Sequence, residues 1–419
     1  MNLGLRIRLS VMMFLQYFVW GIWLPMIALR IGSNPGGLNL SPREQALIYT
    51  VYGFGAILGP FFLGQLADRY FSTEKVLAFC HLLGGALLLG AAYANSFWPL
   101  FILLFLYCNL YMPSMGLTNS LTFRNVGEAN FPGVRFWGTV GWIAAGVSYA
   151  AYLSSRKLPA MQPWFDLVGA PSPMDCLRVA GVVSLVYGLY CFVLPHTPPV
   201  PQSTDNPTEK KSAFTESLRL MRNPSFAVLV VVSSLIGIML AFYFACENFF
   251  LQTIVANPDL IGGYMTIGQV AEAVVMVFVP AAVARFGYKW TMILGASAWA
   301  LRFGLSIIGQ PAWLMIATIG LHGFCFGFFF VVAQMYVDRA ASPDIKASAQ
   351  NLLVFLIYGI GTIIGSLLTG EIRAYFDEDW SKIWAGPFVL TILCILFFAL
   401  FFRERFEEKP QTQAEEALA

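Results

Sequence analysis

An all-helical membrane protein, with twelve spans in two six-helix bundles, is the fold class that the 419-residue chain predicts. Three observations lead there. The first is composition: 58% of residues are hydrophobic and 11% charged, with a mean hydropathy of +0.68. Soluble proteins are about 45–50% apolar and about 25% charged, so too few charges are present to solvate so large a surface. The second is a series of apolar stretches each long enough to cross a bilayer. The third is a polar break at the centre of the chain that divides those stretches six and six.

A spanning helix needs about 20 mostly apolar residues, because its backbone must satisfy its own hydrogen bonds across about 30 Å of hydrocarbon. In the N-terminal half such stretches run Leu9–Arg30, Ala46–Leu66, Val76–Ala94, Leu100–Phe123, Val134–Leu153 and Val179–Leu194. In the C-terminal half they run Phe226–Thr253, Ile261–Ala284, Trp290–Ile308, Trp313–Tyr336, Ala347–Gly370 and Ile383–Phe402. The first is too long for the core of a signal peptide and no small-residue cleavage site follows it, so it reads as a span.

The break from His196 to Arg222 contains Pro-Pro, Ser-Thr-Asp-Asn-Pro and Glu-Lys-Lys. It makes 1–195 one bundle, 196–222 a cytoplasmic linker and 223–403 the second bundle, with 404–419 a charged cytoplasmic tail. Two parallel six-helix halves joined by a solvated linker are the organisation of a transporter. Placing both termini in the cytoplasm puts seventeen Lys and Arg inside against seven outside, with Arg302 left within a span. Positive charge collects on the cytoplasmic side, so the chain is expected in the inner membrane with both ends inside.

Several functions are disfavoured at this level. The net charge of +2, with no basic run, argues against a nucleic-acid partner. Seven scattered cysteines without a CxxC read as small core hydrophobes, and neither metal nor other cofactor is expected. No Ser/His/Asp set or metal-spaced cluster marks an intramembrane enzyme, and no loop can house a soluble catalytic or signalling domain. The partners expected are a small solute, protons and the lipid bilayer, with the chain acting as a monomer. A glycine-rich run, Tyr52 to Gly64, is echoed at Tyr358 to Gly370. Its Gly-x-x-x-Gly spacing permits close helix approach, either as generic packing or as a pair of spans that slide past each other.

The two halves, the central linker and the loop Gly64…Asp68-Arg69 resemble the major facilitator superfamily, in which Gly-x-x-x-Asp-Arg charges hold the inner gate. Here the residues after Arg69 are Tyr-Phe-Ser-Thr-Glu, a departure from the basic continuation usual there. More specific segments resemble one branch, the bacterial nucleoside:proton symporters. These are Phe14-Leu-Gln16-Tyr-Phe-Val-Trp20-Gly21-Ile-Trp23, Arg135-Phe-Trp137-Gly138-Thr139-Val-Gly141, Gln269-Val-Ala-Glu272, Leu194-Pro195-His196 and Ser342-Pro343-Asp-Ile-Lys346-Ala-Ser348-Ala-Gln350. The resemblance implies proton-coupled import of a nucleoside or a related polar, ring-bearing solute. A different solute, such as a sugar or small organic anion, or a facilitator without coupling, would share the fold.

Intramembrane polar groups carry the site expectations, since a charge at the bilayer centre costs at least about 2.5–3.5 kcal/mol. Glu272 falls about 11 residues into its span, roughly 16 Å deep at 1.5 Å per residue, and is the expected proton carrier. Its alternative is a neutral acid bonded between helices. Gln269 shares its face one turn away. Arg135, Thr139 and Trp142, at i, i+4 and i+7, offer a cation, a hydroxyl and a ring on one helix face. The superfamily places that helix opposite Glu272, so Arg135 is a counter-charge, a substrate donor, or only a positive-inside anchor. The symporters carry Tyr and Phe where this chain has His322 and Phe326, which implies a ring that stacks on a base beside a titratable edge. The family's two amide positions in the seventh span align with Ala241 and Phe244, neither of which hydrogen-bonds through its side chain. Glu247 and Asn248, about one turn on, are the expected replacements. Asp68 and Arg69 are expected at the gate. His81 reads as a core histidine or a proton relay, and Arg302 needs a partner the sequence does not name. The many aromatic side chains are expected mostly at lipid or at the interfaces.

Overall fold

A computed structural model describes residues 3–33, 36–59, 63, 70–199, 220–341 and 346–404. The expected gate pair Asp68–Arg69, linker residues 200–219 and tail residues 405–419 lie outside the described residues. Among those described, every regular element is helical.

The chain opens with α1 (Leu3–Trp23), which stops where the predicted span continued. Pro25 lacks an N–H and crowds the preceding turn, so the helix breaks there and resumes as the short Ile27–Ile31. Next come α2 (Pro42–Gly59) and α3 (Thr73–Ala92). The long helix α4 (Phe97–Ser155) contains both the fourth and fifth predicted spans. Gly127 divides it with φ 72° and ψ 170°, a conformation essentially restricted to glycine. After α5 (Asp175–Tyr190), α6 (Pro224–Ile254) starts on an Asn223 cap that accepts from the Ser225 and Phe226 amides, with Pro224 filling the first turn. In α7 (Ile261–Ile308), Gly287 repeats the reversal at φ 74° and ψ 173° and separates the eighth and ninth predicted spans. The last three elements are α8 (Ala312–Ala340), α9, which runs from Lys346–Val354 through Phe355–Gly361 to Thr362–Tyr375, and α10 (Trp380–Phe401).

Nine stretches among the described residues are long and apolar enough to cross a membrane. The count differs from twelve because the two arms of α7, divided at Gly287, count as one stretch, and α2 and the second arm of α4 are not among the nine. Those two segments carry polar side chains, including Tyr49, Thr50, Arg135 and Thr139, that lower their apolarity.

Packing is closest where glycine removes a side chain. A Cβ on Gly141 of α4 would stand 2.2 Å from the Phe14 carbonyl oxygen of α1, so those backbones touch. A Cβ on Gly53 of α2 would lie 2.8 Å from the Gly359 carbonyl of α9. The described part of the first glycine-rich run, residues 52–59, therefore meets the second run across the contact between α2 and α9. At one end of the interface between the halves Arg43 binds Glu371 at 2.9 Å, and Asp259 receives both Arg156 and, at 3.2 Å, Lys157. Glu74, at the start of α3, binds His196 Nδ1 at 2.8 Å and accepts from the Thr197 amide, which ties the first half to the chain leaving α5.

Candidate functional site

A cavity of about 430 Å³ opens between the two halves. Its walls come from α1, α2 and α4 on one side and α6, α7, α8 and α9 on the other. Seven of the side chains singled out from sequence line it: Arg135, Thr139, Trp142, Gln269, Glu272, His322 and Phe326.

Each reaches the wall for a local reason. On α4, helical spacing carries Arg135, Thr139 and Trp142 up one face, and that face turns to the cavity. The Arg135 guanidinium sits 4.0 Å above the Tyr17 ring of α1, a cation–π contact rather than a bond to a carboxylate. Trp142 meets Trp20 edge-on at 4.7 Å, and Trp20 stacks on Tyr52 at 5.6 Å, 9° from parallel. On the opposite wall, Gln269 and Glu272 descend one face of α7. Glu272 Oε2 lies 4.0 Å from His322 Nε2 on α8. No ion pair joins Glu272 to Arg135 among the described residues. Phe326 follows His322 by one turn, with ring centroids 6.1 Å apart, where α8 widens into the π-helical Cys325–Val331. Such local widening is frequent at functional sites.

His322 is held from behind. Its ring stacks on Tyr243 at 5.7 Å and meets Phe244 at 6.1 Å and Trp299 at 6.2 Å. Behind Tyr243, the Arg302 guanidinium lies 3.8 Å from that ring and 3.3 Å from Glu247 Oε1. This supplies the partner that the sequence left unnamed. Arg302 and Glu247 are 0% and 2% exposed, so the ion pair is sealed in the C-terminal half. Two buried charges compensate each other there, where a lone one would be costly.

The expected replacement donors are placed differently. Glu247 and Asn248 are buried and are not among the residues lining the cavity; Glu247 is committed to Arg302. Instead, Leu240, Ala241 and Phe244 present the apolar face of α6 to it. Positions three and four beyond Phe244 lie near its face of the helix, so burial within the C-terminal half, and for Glu247 the pairing with Arg302, keeps them from the cavity.

His81 is bonded into the first half, with Nε2 2.9 Å from Gln16 Oε1 and Nδ1 3.1 Å from Ser184 Oγ. Gln16 donates to Ser114 Oγ at 2.9 Å and its carbonyl accepts from the Tyr111 hydroxyl. All seven cysteines are buried and unpaired.

Several cavity residues escaped the sequence reading. Tyr17, Trp20, Tyr49 and Tyr52 line it from α1 and α2, and Tyr358, Thr362 and Ser366 line it from α9. Many aromatic side chains do face outward, yet this ring-rich wall departs from the expectation that few of them border the solute path. The available signal was the i, i+4, i+8 spacing of the three α9 hydroxyls.

A ring- and polar-lined cavity held between two sets of membrane-crossing helices defines a membrane transporter. Its fold is that of the major facilitator transporters, as the comparisons with solved structures show. The crystal structure of the nucleoside transporter NupG matches with a TM-score of 0.80 and 25% identity, covering 97% of this chain and 100% of that one. A D-xylose-proton symporter matches in fold at a TM-score of 0.71 and 15% identity, covering 96% and 99%. The family model described as Nucleoside H+ symporter matches residues 1–408, and the chain belongs to that family. Among relatives in Escherichia coli (strain K12), YegT is 33% identical over 414 residues, 95% of this chain and 93% of that protein. The xanthosine permease of the same organism is 28% identical over 420 residues, 94% of this chain and 96% of that protein.

Proposed function

We propose that this protein imports nucleosides together with protons, by alternating access of the cavity between residues 1–195 and 223–403. In this reading the twelve spans form two six-helix bundles in the inner membrane, with both termini cytoplasmic, and the chain works as a monomer. Transport is its activity, with no catalytic reaction. The observation that carries the reading is Glu272, set in the cavity wall 4.0 Å from His322 and within the same cavity as Arg135. A carboxyl placed there can take up a proton on one side and give it up on the other. Arg135 and Gln269 orient the solute, and Trp142 with Phe326 clamps its ring. Membership of the symporter family and relatives named for nucleoside and xanthosine transport support the same solute class.

A second reading, a different solute such as a sugar or small organic anion, rests on the departure of Ala241, Phe244 and His322 from the family's pattern, since the cavity face of α6 offers no side-chain hydrogen bond. Uptake of labelled uridine and adenosine into proteoliposomes, with and without an inward proton gradient, decides between them. Gradient-driven accumulation of either nucleoside is expected. Folded protein that accumulates neither, but accumulates a sugar or organic anion, overturns the nucleoside assignment.

A further inference from the structure

We infer that Asp259 is the latch of the outer gate: gripped by Arg156 and Lys157 of the opposite half, it holds the cavity closed to the outside until the halves part. The inference rests on the orientation proposed above, with both termini cytoplasmic, and adds which contact governs the outer mouth.

Four helices run from the cavity to that mouth in the same order: a cavity residue, a close approach of the two halves, then a charge. On α4, Trp142 lines the cavity, Gly146 follows one turn later, and Arg156 stands just past the last residue of the helix. On α7 the order is reversed along the chain, with Asp259 before the helix, Gly262 in its first turn and Gln269 at the cavity. A Cβ on Gly146 would lie 2.7 Å from the Gly262 carbonyl oxygen, so the halves touch through backbone between cavity and mouth. On α2 and α9, Tyr49 and Ser366 line the cavity, and one turn on a Cβ on Gly370 would fall 2.6 Å from the Ala46 Cβ. Arg43 and Glu371 then close the row. Backbones this close leave no passage, so the halves must part here before a solute enters from this side.

The two charge contacts are unequal. Arg43 and Glu371 have side chains 65% and 62% exposed, and such a pair contributes little. Asp259 is 4% exposed and takes two cations from the other half, and Lys157 is held further by Asn257 Oδ1 at 2.6 Å. Water screens a buried carboxylate much less than an exposed one, so its two bonds hold the closed state more strongly.

The test places one reporter, Met115→Cys, in the cavity wall and follows its labelling by a membrane-impermeant maleimide added to either face of sealed vesicles. The seven native cysteines are buried, and protein without the reporter supplies the background. With the latch intact, labelling should be slow from outside and fast from the cytoplasmic face. Asp259→Asn should speed outside labelling at least about tenfold, and Arg156→Gln with Lys157→Gln should do the same from the other side of the contact. Glu371→Gln, at the exposed pair, should change it only about twofold. Reversing the charges, Asp259→Lys with Arg156→Glu and Lys157→Glu, should restore slow labelling, which a merely loosened fold would not. Three outcomes overturn the assignment: Asp259→Asn labels as slowly from outside as its parent, Glu371→Gln has the larger effect, or charge reversal fails to restore closure. A parent labelled fast from outside and slowly from the cytoplasmic face overturns instead the proposed orientation, and with it the placing of this gate on the outer side.

Discussion

His322 Nε2 and Glu272 Oε2 face each other at 4.0 Å across the contact between α8 and α7, and both side chains belong to the wall of the central cavity. His322 is fixed by the rings of Tyr243, Phe244, Trp299 and Phe326 around it. Glu272 keeps a side-chain exposure of 25% toward the cavity. One partner is held rigidly while the other remains open to solute and solvent, an arrangement suited to a carboxyl that gains and loses a proton during a transport cycle.

Glu272→Gln should abolish accumulation and spare exchange. Glutamine imitates the protonated, neutral acid, so the solute still binds and the halves still reorient, but no proton is released to complete a coupled cycle. With one inward positive charge per solute, 100 mV supplies about 2.3 kcal/mol, or about fiftyfold accumulation. The variant should equilibrate at a ratio of about one. The pH dependence follows in sign: loading requires the protonated acid, so wild-type uptake rises as the outer pH falls, and the variant's exchange should be flat. Counterflow and concentrative uptake measured side by side check this, and concentrative uptake that survives in the variant would remove Glu272 from the coupling.

The Arg302–Glu247 pair should behave as a stability element with strong coupling between its members. Glu247→Ala leaves a buried guanidinium without its carboxylate. Breaking such a pair costs about 3–5 kcal/mol, whereas replacing both partners by well-packed apolar residues is often close to neutral. Thermal unfolding of purified protein should show a large drop for Glu247→Ala and for Arg302→Ala. The double variant Arg302→Met with Glu247→Leu should recover most of it. Single variants no less stable than the double would refute the pairing argument.

Gly141→Ala should destabilise the N-terminal half by about 1–3 kcal/mol, the usual cost of overpacking, because its methyl would fall 2.2 Å from the Phe14 carbonyl oxygen. Gly116→Ala is the matched control in the same helix, with nothing within 4 Å of its added Cβ, and should stay within about 0.5 kcal/mol of wild type. The relative unfolding midpoints of the two variants measure the effect; equal midpoints would show that α1 and α4 can separate at little cost.

Much of the architecture is legible in the chain because the bilayer constrains it so tightly. Long apolar runs must be helices there. Side chains sharing a face could also be read: Arg135 with Thr139 and Trp142, Gln269 with Glu272, and His322 with Phe326 all meet in one cavity. Pro25 ended the first helix earlier than hydropathy predicts, since backbone sterics override hydropathy at single residues, whereas the positive-φ Gly127 and Gly287 fall in the breaks between predicted spans.

The sequence by itself determined which residues ride together on a helix, because the 3.6-residue repeat is a local property. Only the tertiary structure decided which face of each helix turns to the cavity, because that depends on how distant helices rotate against one another. Glu247 therefore pairs with Arg302, 55 residues away, and not with the cavity. For the same reason the hydroxyls of α9 border the cavity, although their residue types alone are as common in helix packing as in recognition. Pairing of buried charges and convergence of hydroxyls are products of packing between helices, and packing is where local periodicity stops carrying information.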